Sequence, residues 1–232
     1  MLAGVTVQDR APATATAPAV DGNRRDARSA TATYPQLLAS GDEHRAARKF
    51  SLALTEYAMA LDQAGNDTER ALAMAKEGMI YVYDQTNYAA ASHTVDAALQ
   101  LNNVQPVALV TVFEVLAECQ IHVDKNIAAA TGTIEKALKL GGVDWSKPHL
   151  SLKLGDCYRS SGRFADAVAM YQKVIQMPQA IPAIKANSYL NMGLAYQYDL
   201  QDFGRARAAY ADAAQLKPDL KSQIDGYLAE IR

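Results

Sequence analysis

An all-α solenoid of five helical hairpins, closed by one C-terminal helix, is the fold this sequence predicts. Two spacings and one count predict it. A small residue stands at Gly41, Gly78, Ala117, Gly155 and Gly193, in steps of 37, 39, 38 and 38. A second stands at Ala53, Ala91, Ala130, Ala167 and Ala206, always 12 or 13 residues later. Two registers held in phase five times mark an internal repeat, and a period of this length marks stacked supersecondary units. The count is of aromatics: 12 tyrosines against four phenylalanines and one tryptophan put tyrosine in a recurring slot.

Composition excludes several classes before any element is placed. The 232 residues are 50% apolar and 21% charged, with 25 acidic against 23 basic side chains and a net charge of −2. That balance lacks the basic footprint of a nucleic-acid binder. No apolar run approaches the roughly 20 residues of a membrane-spanning helix. Two cysteines cannot build a disulfide scaffold.

The elements are taken in chain order. Residues 1–33 are expected to be a disordered tail: Ala11-Pro12-Ala13-Thr14-Ala15-Thr16-Ala17-Pro18 has no large apolar side chain to offset its ordering entropy. Met1-Leu2-Ala3-Gly4 is similar to the tail end of a bacterial signal sequence, with no charged or apolar segment before it. The stretch reads either as a plain flexible tail or as the segment behind an export signal lying upstream, so cytoplasm and periplasm both stay open.

The first unit, about residues 34–66, carries Leu37-x2-Ser40-Gly41-x2-His44 and then Phe50 and Ala53-x3-Tyr57. Phe50, Ala53, Leu54 and Tyr57 fall at i, i+3, i+4 and i+7, one face of a helix. The second, about 71–103, runs Met74-x2-Glu77-Gly78-x2-Tyr81, then Tyr88 and Ala91-x3-Val95. The third, about 110–142, runs Phe113-x2-Leu116-Ala117-x2-Gln120 and Ala130-x3-Ile134. The fourth, about 148–178, is cleanest: Ser151-x2-Leu154-Gly155-x2-Tyr158, Phe164, Ala167-x3-Tyr171 and Pro178. The fifth, about 186–218, repeats it as Tyr189-x2-Met192-Gly193-x2-Tyr196, Phe203, Ala206-x3-Tyr210 and Pro218. Gly65-Asn66, Asn102-Asn103, Gly141-Gly142 and Gly162 are helix stops, and Asn66 and Ser146 offer caps to the helices after them. In residues 219–232, Leu220, Ile224, Tyr227, Leu228 and Ile231 form one apolar face opposite Lys221, Ser222 and Asp225, the pattern of a capping helix.

The motif Leu-Gly-x2-Tyr, Ala-x3-aromatic and closing proline, in the fourth and fifth units, resembles the tetratricopeptide repeat (TPR). The usual TPR unit is 34 residues, so the longer steps here assign the extra residues to turns. The first and third units depart most, with Ser40, His44, Ala117 and Gln120 in place of the motif residues. Sel1-like repeats, slightly longer helical units of related design, are the other reading. The resemblance implies a right-handed superhelical solenoid and a non-enzymatic adaptor that binds a peptide along its concave surface, lined by the first helix of each pair. Carried over by register, that lining is Lys76, Met79 and Tyr83; Glu114, Glu118 and His122; Lys153, Asp156 and Arg159; and Asn191, Leu194, Gln197 and Tyr198. The lysine–asparagine clamp with which some TPR proteins hold chaperone C-termini is not expected, because its asparagine slot holds Asp42, Met79, Glu118, Asp156 and Leu194.

Catalytic and metal chemistry finds no motif. His44, His93, His122 and His149 are spread through the first four units, without His-Glu-x2-His or Cys-x2-Cys spacing. Neither a phosphate-binding Gly-x4-Gly-Lys-Ser/Thr loop nor a Gly-x-Ser-x-Gly elbow is present. No cofactor or metal is expected. Cys119 and Cys157 share one slot of adjacent units, about 10 Å apart by helix packing, and are expected as two buried thiols rather than a bridge. Glu114 and Glu118 are expected on a solvated face, and Trp145 packed over a hairpin junction. The partner is a protein or peptide; the alternative is a structural subunit of a bacterial envelope assembly or secretion complex, acting through its edges. The oligomeric state is left open.

Overall fold

Small residues at the two registers let helices approach, and the aromatic four residues on fills the space they leave. In a computed structural model, residues 32–231 are described. All but the last two residues of the expected N-terminal tail lie outside them. Among the described residues there are eleven α-helices and no strand. They are α1 (Tyr34–Ala46), α2 (Phe50–Gln63), α3 (Asp67–Met79), α4 (Tyr88–Leu99), α5 (Pro106–His122), α6 (Ile127–Leu138), α7 (Lys147–Ser160), α8 (Phe164–Gln176), α9 (Pro182–Leu194), α10 (Phe203–Leu216) and α11 (Lys221–Glu230). Consecutive odd and even helices pair as antiparallel hairpins, each even helix packs on the next odd one, and α11 lies against α10.

Within three hairpins the packing obeys one rule. A Cβ at Gly41, Gly155 or Gly193 would stand 2.3, 2.5 or 2.5 Å from the ring of Tyr57, Tyr171 or Tyr210. The tyrosine is therefore held flush against bare backbone, and all three rings are fully buried. The second and third hairpins use Val95 and Ile134 at the same slot, both buried. Gly78 faces the next hairpin instead, where a Cβ would lie 2.9 Å from Val115 Cγ1. Around it Ala71, Ala75, Ala108, Val112 and Val115 form a dry contact of α3 on α5.

The two spacings between registers, 12 and 13, have a structural cause. Where the spacing is 12, the first helix exits directly, and Arg48 or Gly162 takes the left-handed conformation before the second helix. Where it is 13, the extra residue widens the exit: α3 and α9 continue into π-helical turns, Ile80–Asp84 and Ala195–Asp199. In the third hairpin Asp124 N reaches Cys119 O at 3.3 Å, the same i−5 bond. These longer exits end on Asn87, Asn126 and Asp202, whose side chains accept from the backbone N–H of Ala90, Ala129 and Arg205.

Asn66 caps α3 as its position predicts, accepting from Glu69 N at 3.0 Å. Ser146 does not cap α7; its hydroxyl donates to Val143 O at 2.7 Å, closing a short 3₁₀ turn. That turn also corrects the reading of Trp145. Val143 and Ser146 take the buried positions at the junction, which leaves Trp145 outside and 62% exposed. At the C-terminus, Ile224 and Ile231 are buried and Tyr227 stacks on Tyr210 with centroids 5.7 Å apart, so α11 covers the last hairpin.

Candidate partner-binding site

The odd helices α3, α5, α7 and α9, with the π-helical turns that extend α3 and α9, carry the predicted lining residues, and the structure shows most of them bonded to one another. Two slots recur between neighbouring odd helices. In the first, the residue after the small residue of one unit meets the residue two before the small residue of the next. Lys76 Nζ lies 2.7 Å from both oxygens of Asp42, Lys153 pairs with Glu118, and Asn191 Nδ2 donates to Asp156 Oδ1 at 2.7 Å. Between α3 and α5 this slot holds Met79 and Val115, apolar like the rest of that contact. In the second slot, four and six residues past the small residue, Arg45 pairs with Asp84 and Arg159 with Asp199.

Glu114 and Glu118 are not on a solvated face. Their side chains are 13% and 12% exposed, because the adjacent helices supply partners 31–35 residues away. Tyr83 donates its hydroxyl to Glu114 at 2.9 Å, and His149 Nε2 hydrogen-bonds Glu114 at 3.0 Å. Lys153 lies 5.0 Å over the Tyr83 ring, and His122 stands 3.5 Å from Glu118 while stacking on Tyr88. Burial works to raise the Glu114 pKa, but the His149 hydrogen bond, the Lys153 charge and the Tyr83 hydroxyl hold it below its ordinary value. The same burial and the facing carboxylates push the Tyr83 hydroxyl far up, so it stays a donor.

The buried tyrosines reach this face from beneath. Tyr57 donates to Asp42, Tyr171 to Asp156 and Tyr210 to Gln197, each at 2.7 Å. Gln197 is only 5% exposed, its amide also donating to Tyr227 O under α11. Met79 and Leu194 are partly buried against the core. Tyr83 and Tyr198 are exposed, and Tyr198 hydrogen-bonds Glu230. Between α7 and α9 the face opens into a cleft of about 460 Å³ lined by Asp156, Arg159, Ser160, Asn191 and Asp199. Sequence reasoning missed Asp42, Arg45, Asp84, His149 and Asp199 as members of this network. The signal for them was a separation near one repeat between residues of opposite charge.

Cys119 and Cys157 are both buried and unbridged, in separate core clusters, and burial pushes each thiol up to about 11. No helix among the described residues is long and apolar enough to cross a membrane.

A stack of helical hairpins with one shared polar face defines a helical-repeat protein–protein interaction module. Residues 148–180 and 186–220, in the fourth and fifth hairpins, match the family model for the tetratricopeptide repeat. Among solved structures, PilF of Pseudomonas aeruginosa is 22% identical, with 85% of this chain and 82% of that one covered and a TM-score of 0.61. BtubC from P. vanneervenii is 18% identical over 81% and 80%, with a TM-score of 0.64. YrrB, a TPR protein with an unusual peptide-binding site, is 20% identical over 79% and 86%, with a TM-score of 0.50. At these identities the likeness is one of fold. No curated protein matches the sequence.

Proposed function

We propose that the protein is a non-enzymatic adaptor that holds a segment of a partner protein along the face formed by the odd helices. The observation that carries this reading is the polar face itself. Bridges between repeats position it, exposed Tyr83 and Tyr198 stand on it, and a cleft opens within it. Amphipathic tyrosines beside fixed charges of both signs suit an extended, mixed-polarity peptide. Glu118 and Arg159 are poor places to test it, since both tie neighbouring repeats together. Tyr83 and Tyr198 also hydrogen-bond the next element, through Glu114 and Glu230, but their rings are exposed on the face, so a crosslinking side chain there reaches a bound segment. A photo-crosslinking residue placed at either position in the native host is expected to trap a partner, and one at Leu52 on α2 or Lys173 on α8 is not. The reverse pattern would remove the reading.

A second reading has its own observation. Val107, Trp145 and Ile181 are exposed apolar residues just before or at the start of successive odd helices. An apolar stripe along that edge would suit a structural subunit of a bacterial envelope assembly or secretion complex. Replacing Trp145 and Ile181 by serine then releases the partner, whereas the Tyr83 and Tyr198 positions are silent.

A further inference from the structure

The first bridging slot holds a polar pair at three of its four joints, and one of the three differs in charge. Asp42 meets the ammonium of Lys76, and Glu118 meets that of Lys153. Asp156 meets neutral Asn191. Its Oδ1 accepts from Asn191 and from Tyr171, and its Oδ2 has no hydrogen-bond partner among the described residues. The cations nearby are committed elsewhere, Arg159 through Nε to Asp199 and Lys153 to Glu118. Burial pushes the Asp156 carboxyl up despite both hydrogen bonds, the mark of a charge that its surroundings compensate incompletely.

This is also where the face opens. The cleft of about 460 Å³ has Asp156 and Asp199 on its walls and Arg159 as its one charged counterpart. Two carboxylates against one guanidinium leave it net negative. At the other joints the equivalent slot holds a lysine or the apolar pair Met79 and Val115.

We propose that the cleft between α7 and α9 takes the ammonium of a lysine side chain from the bound partner segment. It gives Asp156 the cation that Lys76 gives Asp42 and Lys153 gives Glu118. The inference rests on the groove reading above and names one side chain that the groove selects. The ammonium stands between Asp156 Oδ2 and the Asp199 oxygen not bonded to Arg159, with the Ser160 hydroxyl as a further acceptor. A point-like ammonium with three donors fits diverging acceptors, whereas a planar guanidinium needs a coplanar pair and would lie against Arg159.

Random N-acetylated dodecapeptides, in which only a side chain can supply an ammonium, are selected against the full chain. The same library is selected against Asn191→Lys, Asp156→Asn and a Tyr83→Ala/Tyr198→Ala variant. Binders to the native chain are expected to share a lysine. Replacing it by norleucine weakens binding about tenfold or more in calorimetry, as for loss of a charge-assisted hydrogen bond. Asn191→Lys fills the slot from within, so it is expected to keep or raise thermal stability while losing the lysine preference. Binders that need Tyr83 and Tyr198 but show no lysine preference, or that favour an acidic side chain, overturn this inference and leave the groove reading standing. Binders indifferent to Tyr83 and Tyr198, or no binders at all, remove the groove reading and this inference with it.

Discussion

The hydroxyl of Tyr171 donates to Asp156 Oδ1 at 2.7 Å, and the same ring lies flush against Gly155 one residue earlier on α7. One side chain thus packs the hairpin from inside and orients a carboxylate on its outer face. Tyr57 does the same for Gly41 and Asp42. The two carboxylates differ in what else they hold: Asp42 has both Lys76 contacts, Asp156 only the Asn191 amide.

Tyr171→Phe therefore costs more than Tyr57→Phe. Removing a donor from a partly buried carboxylate is worth about 1.5–3 kcal/mol, and at Asp42 the lysine limits the loss to about 1 kcal/mol or less. Urea denaturation of the two variants reads the difference directly. Equal losses would show that the hydroxyls, unlike the rings, contribute nothing specific.

Gly155→Ala drives a Cβ into the Tyr171 ring and is expected to destabilise by about 1–3 kcal/mol. The third hairpin shows the remedy, with Ala117 and buried Ile134 at the same two positions. Adding Tyr171→Ile should make the double variant less destabilised than the two single losses summed. A double-mutant cycle checks the sign, and simple additivity would mean that the two residues are not in steric contact.

Arg48, Thr86, Lys125, Gly162 and Gln201 occupy equivalent exits at φ of 58°, 51°, 53°, 75° and 54°. Only the fourth is the residue that adopts this conformation without Cβ strain, and Thr86, being β-branched, is the least suited. Thr86→Gly is expected to raise stability by about 0.5–1 kcal/mol even though glycine is freer in the unfolded chain. Gly162→Ala should lower it by a similar amount. Thermal melts of both decide the matter.

The Glu77 carboxyl makes no hydrogen bond or ion pair among the described residues, and burial raises its pKa from 4.5 to about 7. Between those values the folded chain keeps a proton that the unfolded chain releases, so this group makes stability fall as pH rises through that window. Glu77→Gln should flatten that part of the profile and stabilise the chain above pH 7 by about 1–2 kcal/mol. Denaturation series at pH 5 and pH 8 measure both effects; an unchanged slope would place the carboxyl in water.

Much of this architecture was legible because packing slots are local. Gly155 and Tyr171 lie 16 residues apart in one hairpin, and small-against-aromatic spacing announces them. The interfacial network was legible only by helix face. Glu114 and Glu118 share a face by their i, i+4 spacing, but His149 and Lys153 lie 35 residues on. Their burial depends on how far one first helix slides along the next, which no single-helix pattern contains. Trp145 failed for a related reason. Which of Val143, Trp145 and Ser146 turns inward is set by the 3₁₀ turn, and side-chain size alone favoured the wrong one.

The unlike joints between odd helices also have a mechanical meaning. At α3 and α5 the surfaces are small, dry and interlocked, so sliding would open voids at once and the joint behaves as a weld. At α7 and α9 an ion pair and an amide bridge span an open cleft, and polar contacts of this kind lengthen and re-form at less cost than interlocked apolar packing. The stack is accordingly expected to yield more readily between α7 and α9 than between α3 and α5.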